Sequence, residues 1–161
     1  MTKSETLSGN QKRKMRSASR LYAVQALFQM EAAGQTIDAI QREFLDHRFG
    51  AFVEDEGIEY IEGDVELFGA LVTEAVNNQA RIDQMTDRAL VAKWPIARID
   101  PTLRALFRAA GAEFLDPETP PKVVITEFVD VARAFFPESR EPKFVNAVLD
   151  HMAREARPEA F

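Results

Sequence analysis

The chain has 161 residues, 46% of them hydrophobic and 29% charged, with a formal charge of −6 and no cysteine. That composition is globular rather than disordered, fits one domain, and excludes disulfides and thiolate chemistry. No apolar run approaches the ~20 residues that span a bilayer, and no secretory signal opens the chain, so a cytoplasmic protein without membrane partners is expected.

Charge is segregated along the chain. Residues 1–22 hold six Lys or Arg against one acid, Glu5, a net of +5, which leaves −11 on the remainder. The densest cationic run is "QKRKMRSASR", with Lys12, Arg13, Lys14, Arg16 and Arg20. The densest acidic run lies between Glu54 and Glu66, and no Lys or Arg occurs between Arg48 and Arg81. A basic arm on an acidic body is the pattern of a chain that meets a polyanion at one end. A merely solvated tail is the competing reading.

The apolar spacing is helical nearly throughout. Leu21, Val24, Leu27 and Phe28 mark a first helix that Gly34 ends. Thr36 caps a second, with Ile37, Ile40, Phe44 and Leu45 on one face, and Asp64 caps a third through Leu67, Phe68, Leu71, Val72 and Val76. A fourth, around Ile82, Met85 and Leu90, stops before Pro95, leaving Trp94 as a packing residue at a loop. Asp100 followed by Pro101 starts a fifth through Leu103, Leu106, Phe107, Ala110 and Phe114. "LDPETPP" is a rigid linker to a sixth, "KVVITEFVDVARAFF", where β-branched Val123, Val124 and Ile125 leave a short strand open. Ser139 or Glu141 leads into a seventh carrying Phe144, Val145, Val148, Leu149 and Met152. The expectation is an all-α bundle of about seven helices in two sub-bundles. Residues 1–16 are read as a flexible basic arm, 17–157 as one helical domain and 158–161 as a tail.

Signals for catalysis are absent. His47 and His151 have no partner at metal-ligand spacing, no glycine-rich loop precedes a helix, and no carboxylate pair sits among apolar residues. Neither an enzyme nor a metal or cofactor site is expected.

If the arm continued the first helix, Arg13, Arg16 and Arg20 would approach the stripe of Val24 and Leu27, and three guanidiniums cannot all be buried without partners. The helix must therefore overhang the body or begin near Ser17 or Ser19. Gln25 and Phe28 lie one turn apart near the arm's root. An amide and an aromatic beside a cationic strip suit unpaired RNA bases, which stack and offer their edges. Core packing for Phe28 and a solvated position for Gln25 are the alternatives. A helix-turn-helix DNA reader is disfavoured because no later helix is basic enough for a major groove.

Three segments in order carry a resemblance. "RSASRLYAVQALFQ" resembles the opening of the NusB family of bacterial transcription antitermination factors, "PPKVVITEFVDVAR" its Pro-x-K-V-x-I-N-E segment, and "KFVNAVLDHM" its K-F-V-N-G-V-L-D signature. The chain departs from that pattern in its mixed Lys/Arg run, in Thr126 for Asn and in Ala147 for Gly. The resemblance implies a helical, non-enzymatic factor that binds boxA-type single-stranded RNA of nascent ribosomal transcripts together with NusE, a small-subunit ribosomal protein, in an RNA polymerase antitermination complex. Carried over, the RNA-facing set is Lys12, Arg13, Lys14, Arg16, Arg20, Gln25, Phe28, Phe136, Lys143 and Asn146. For Asn146 a structural hydrogen bond to a neighbouring helix end competes, and Phe144 and Val148 are read as core. The helix begun by Pro101, with Glu113 and Phe114 near its end, is the expected docking surface for the basic protein. The rivals are a helical adaptor that binds an acidic partner and no RNA, and the related domain fused to RNA cytosine-5 methyltransferases. The latter is disfavoured by the end of the chain at Phe161 with no cysteine.

Overall fold

The computed structural model describes residues 8–47, 64–90, 99–137 and 141–161. Within them lie seven α-helices and no strand: α1 (Gly9–Ala33), α2 (Ile37–His47), α3 (Val65–Asn77), α4 (Gln79–Ala89), α5 (Pro101–Phe114), α6 (Pro121–Phe135) and α7 (Glu141–Ala156). A 3-10 turn, Pro158–Ala160, follows, and Phe161 sets its ring 4.5 Å beneath the Arg154 guanidinium, so this end of the chain is folded onto α7. Trp94, Ser139 and the acidic residues 54–63 lie outside the described residues.

Local chemistry accounts for the ends. Gly34 closes α1 at φ +68°, a left-handed conformation that costs other residues more, with its N–H on Met30 O at 2.8 Å. Thr36 Oγ1 accepts from Ala39 N at 3.2 Å, Asp64 Oδ1 from Leu67 N at 3.0 Å, and Asp100 Oδ1 from Thr102 N at 2.7 Å. The β-branched run opening α6 is helical: Val124 is fully buried while Val123 is exposed, a helical alternation that burial imposes over propensity.

α5 is the axis of the molecule. It packs against α1, α3, α4, α6 and α7, and each of its residues from Ala109 to Phe114 is buried. Small residues Ala109, Ala110, Gly111 and Ala112 let neighbours approach; a Cβ on Gly111 would run into Ile82 of α4. On one side α1, α2 and α3 share the rings of Tyr22, Phe44 and Phe68, the last two stacked at 5.4 Å. On the other, α4, α6 and α7 close over Phe107, Phe128, Leu149 and Met152. Phe144, expected in the core, is 36% exposed, and Leu45, placed on the apolar face of the second helix, is 41% exposed. Phe144 still touches it edge-on, 6.2 Å from the Phe107 ring.

Candidate nucleic-acid interface

The first helix begins at Gly9, not at Ser17, so residues 9–16 of the expected arm are two largely exposed helical turns, with Met15 O already accepting from Asp64 N at 3.3 Å. A capping box starts them: Ser8 Oγ accepts from Gln11 N at 3.1 Å, and Gln11 Oε1 accepts from Ser8 N at 2.8 Å. Below them the helix is tied to the start of α3, where Ser19 Oγ donates to Asp64 O at 2.7 Å. Lys12, Arg13, Lys14 and Arg16 are all exposed, and the first turn holds no acid. Cations in the opening turns work against the helix dipole.

Arg20 departs from the expected set. It is 3% exposed and cannot face RNA. Its Nε and Nη2 donate to Glu113 Oε1 and Oε2 at 2.8 and 2.7 Å, and its Nη1 donates to Glu127 Oε1 at 2.7 Å. Ser17 Oγ donates to the same Glu127 oxygen at 2.7 Å. Burial opposes the charge, yet the Glu113 hydrogen bonds and the attraction of both carboxylates hold the guanidinium above its ordinary range. One guanidinium of the three does enter the body, and it enters with partners. The same triad removes Glu113 from the docking surface: it is 1% exposed and committed to Arg20, while Phe114 is fully buried core.

Lys14, Ala18, Leu21, Gln25, Phe28 and Ala32 follow one another at steps of four and three, so they line a single face of α1. Lys14 and Phe28 stand about 21 Å apart along it, at 1.5 Å per residue. Two hollows open on this face. The first, of about 460 Å³, lies between α1 and α6, with Arg13 and Lys14 at its mouth, Leu21 and Tyr22 on its floor, and Glu127 and Asp130 opposite. The second, of about 290 Å³, is lined by Gln25, Phe28 and Gln29 of α1, Thr102 of α5 and Phe135 of α6. Phe28 is 39% exposed, which takes it out of the core. Gln25 is half-buried, and its Oε1 is shut from solvent with no hydrogen-bond partner among the described residues. Gln29 is held by Gln35 and Glu43, its Nε2 donating to each at 2.8 Å.

The remaining expected residues lie elsewhere. Phe136 is half-buried as the cap residue of α6, next to Phe135 of the second hollow. Lys143 and Asn146 are exposed on α7, which packs against α4, α5 and α6. Asn146 makes no hydrogen bond to the described residues, which disfavours its structural reading. Among the described residues no cluster of His, Cys, Asp or Glu could hold a metal ion, and no helix is long and apolar enough to cross a membrane.

Comparison with known proteins agrees with the fold and with the three sequence segments. The family model of the NusB family matches residues 17–154. The transcription antitermination protein NusB of Maricaulis maris (strain MCS10) is 45% identical over 161 residues, covering 99% of each chain. That of Granulibacter bethesdensis is 42% identical over 156 residues, covering 94% of this chain and 95% of the relative. Among solved structures, T. maritima NusB superposes with a TM-score of 0.71 at 29% identity, covering 91% of this chain and 96% of the other. A crystal structure of the antitermination factors NusB and NusE in complex with dsRNA matches with a TM-score of 0.67 at 24% identity, covering 86% and 96%, a likeness of fold. With its helical core spanned by the family model and its length matched end to end by relatives, this chain belongs to the NusB family of transcription antitermination proteins.

Proposed function

We propose that this chain is a non-enzymatic, cytoplasmic antitermination factor that grips boxA-type single-stranded RNA of nascent ribosomal transcripts. It acts with NusE in an RNA polymerase complex that suppresses premature termination. The observation that carries the reading is α1: four exposed cations around its first two turns, of which Lys14 stands on the face that carries, about 21 Å further along, the part-exposed Phe28 ring beside the Gln25 amide, whose Oε1 has no partner among the described residues. Cations bind phosphates without regard to sequence, whereas a ring and an amide engage an unpaired base. The solved NusB and NusE assembly with dsRNA supports RNA and NusE as the classes of partner; the choice of a single strand rests on the ring and amide of α1. Lys143 and Asn146 on α7, and Phe136 at the end of α6, are assigned to the outer part of the RNA path.

The test is a filter-binding titration with boxA-like RNA, a shuffled strand and the corresponding duplex, each with and without NusE. Preference for the boxA-like single strand, tightened by NusE, supports the reading. Equal binding to all three makes the protein a general polyanion binder, and indifference to NusE removes the cooperative partner.

A further inference from the structure

The docking surface expected at Glu113 and Phe114 is closed, but an open groove lies just outside it. Between α3 and the last turn of α5 is a hollow of about 380 Å³. Leu67, Ala70, Leu71 and Leu115 give it an apolar lining, and Glu74 and Asp116 line it as well. Neither carboxylate has a cationic partner among the described residues. Glu74 accepts only from Asn78 Nδ2 at 3.0 Å, and Asp116 from Glu118 N at 2.9 Å and Thr119 Oγ1 at 3.2 Å. The Arg157 guanidinium nearby is engaged elsewhere, its Nη1 donating to Asp116 O at 2.8 Å, its Nη2 to Pro117 O at 3.3 Å and its Nε lying 3.5 Å from Glu159 Oε2. The C-terminal end of α5 also points here, adding the negative end of its dipole.

We infer that this groove docks a lysine- or arginine-bearing segment of a partner protein, an aliphatic stem lying on the leucines and its cationic head meeting Glu74 and Asp116. Three features of one place converge on that chemistry: an apolar lining of side-chain size, two carboxylates with no ion-pair partner among the described residues, and a helix C-terminus. The segment that precedes α3 in sequence is a poor match for such an occupant: residues 54–62 carry Glu54, Asp55, Glu56, Glu59 and Glu62 with no Lys or Arg. The inference is independent of RNA binding, which is assigned to α1.

The test is a backbone-amide NMR titration of the full chain with a synthetic peptide alternating lysine and leucine, run at low and high salt. A lysine-to-glutamine version, a leucine-to-serine version and spermine serve as comparisons. The expected result is shifts confined to α3 and residues 111–117, requiring both lysine and leucine. Ala70→Arg, which places a cation in the groove from an exposed helical position, and Glu74→Gln should each weaken binding about tenfold. Circular dichroism checks that both variants fold. Shifts spread over the acidic surface at large, or an Ala70→Arg chain that binds as well as the original, overturn the inference. Spermine reproducing the shifts makes the occupant a small polyamine. Concentration-dependent dimerisation that Ala70→Arg abolishes makes it a second copy of this chain.

Discussion

Arg20 and Glu113 meet fork to fork, 93 residues apart in sequence, with both side chains closed off from solvent. The pair fixes α1 to α5 in antiparallel alignment, and a second contact between the same helices, Arg104 Nε to Glu31 Oε2 at 3.0 Å, confirms the register.

The first prediction concerns that pair. Removing one partner from a buried ion pair leaves an uncompensated charge and costs about 3–5 kcal/mol. Arg20→Ala should therefore lower the melting temperature by roughly 10 °C, at 2–4 °C per kcal/mol for a chain this size. An RNA contact would behave differently, weakening affinity while leaving the melt unchanged. Thermal unfolding of Arg20→Ala beside Arg16→Ala distinguishes the two, since Arg16 is exposed and its loss should hardly move the transition.

How much of this was legible follows a physical line. Helix existence rests on local periodicity and caps, so the seven segments, Gly34, Asp64 and the Asp100–Pro101 start were readable from the chain alone. The start of α1 was readable too: Ser8 followed three residues later by Gln11 is a capping-box signature, masked by the charge that surrounds it. The role of Arg20 was not. A helical wheel turns it toward the body, but its partners Glu113 and Glu127 lie 93 and 107 residues downstream, and no local pattern reveals them. The docking residues failed for the same reason: Glu113 reads as a surface acid until its partner is known. Phe28 shows the converse, because its helical spacing suits the core equally and only the ending of the neighbouring helices leaves it exposed.

A second prediction follows from close packing. Gly111 faces Ile82 with no room for a methyl group, and Ile82 is β-branched and fully buried, so it cannot swing away. Gly111→Ala should cost about 1–3 kcal/mol despite the better helix propensity of alanine. Ile82→Ala is destabilising alone, but the cost of the double variant should be less than the sum of the two single costs. Strict additivity in urea unfolding would show that α4 and α5 are not in contact there.

The third prediction is a pH dependence. The Arg104 hydrogen bond lowers the Glu31 pKa most; burial opposes it, and attraction to Arg104 and Arg108 adds to the lowering. A depressed carboxylate contributes stability above its unfolded value of about 4.3, and loses it as pH falls through the lower folded value. Glu31→Gln should therefore be less stable than the original chain at pH 7, and the gap should close below about pH 4. Glu155, lowered by its hydrogen bond to Arg88, should behave likewise in sign. A gap that persists unchanged into acid would mean that Glu31 acts through packing and not charge.

The last prediction separates the two halves of the α1 face. Arg13, exposed in the second turn, is assigned to a phosphate, and each phosphate neutralised on a single strand contributes about −0.7 to the slope of log K against log salt. Arg13→Ala should weaken all RNAs alike and flatten that slope by somewhat under one unit. Phe28 is assigned to a base, and stacking is worth roughly 1–3 kcal/mol per base with little salt dependence. Phe28→Ala should thus lose affinity at every salt concentration by a similar factor. Since the ring is 39% exposed, its removal should cost well under the 3–5 kcal/mol of a buried phenylalanine. Gln25 adds a second handle on the same hollow: its buried Oε1 has no partner among the described residues, so Gln25→Leu should leave folding stability unharmed while weakening RNA. Salt-resolved binding titrations and thermal melts on the three variants decide between the assignments. A Phe28 variant that binds normally, or an Arg13 variant with an unaltered slope, detaches that half of the face from the RNA site.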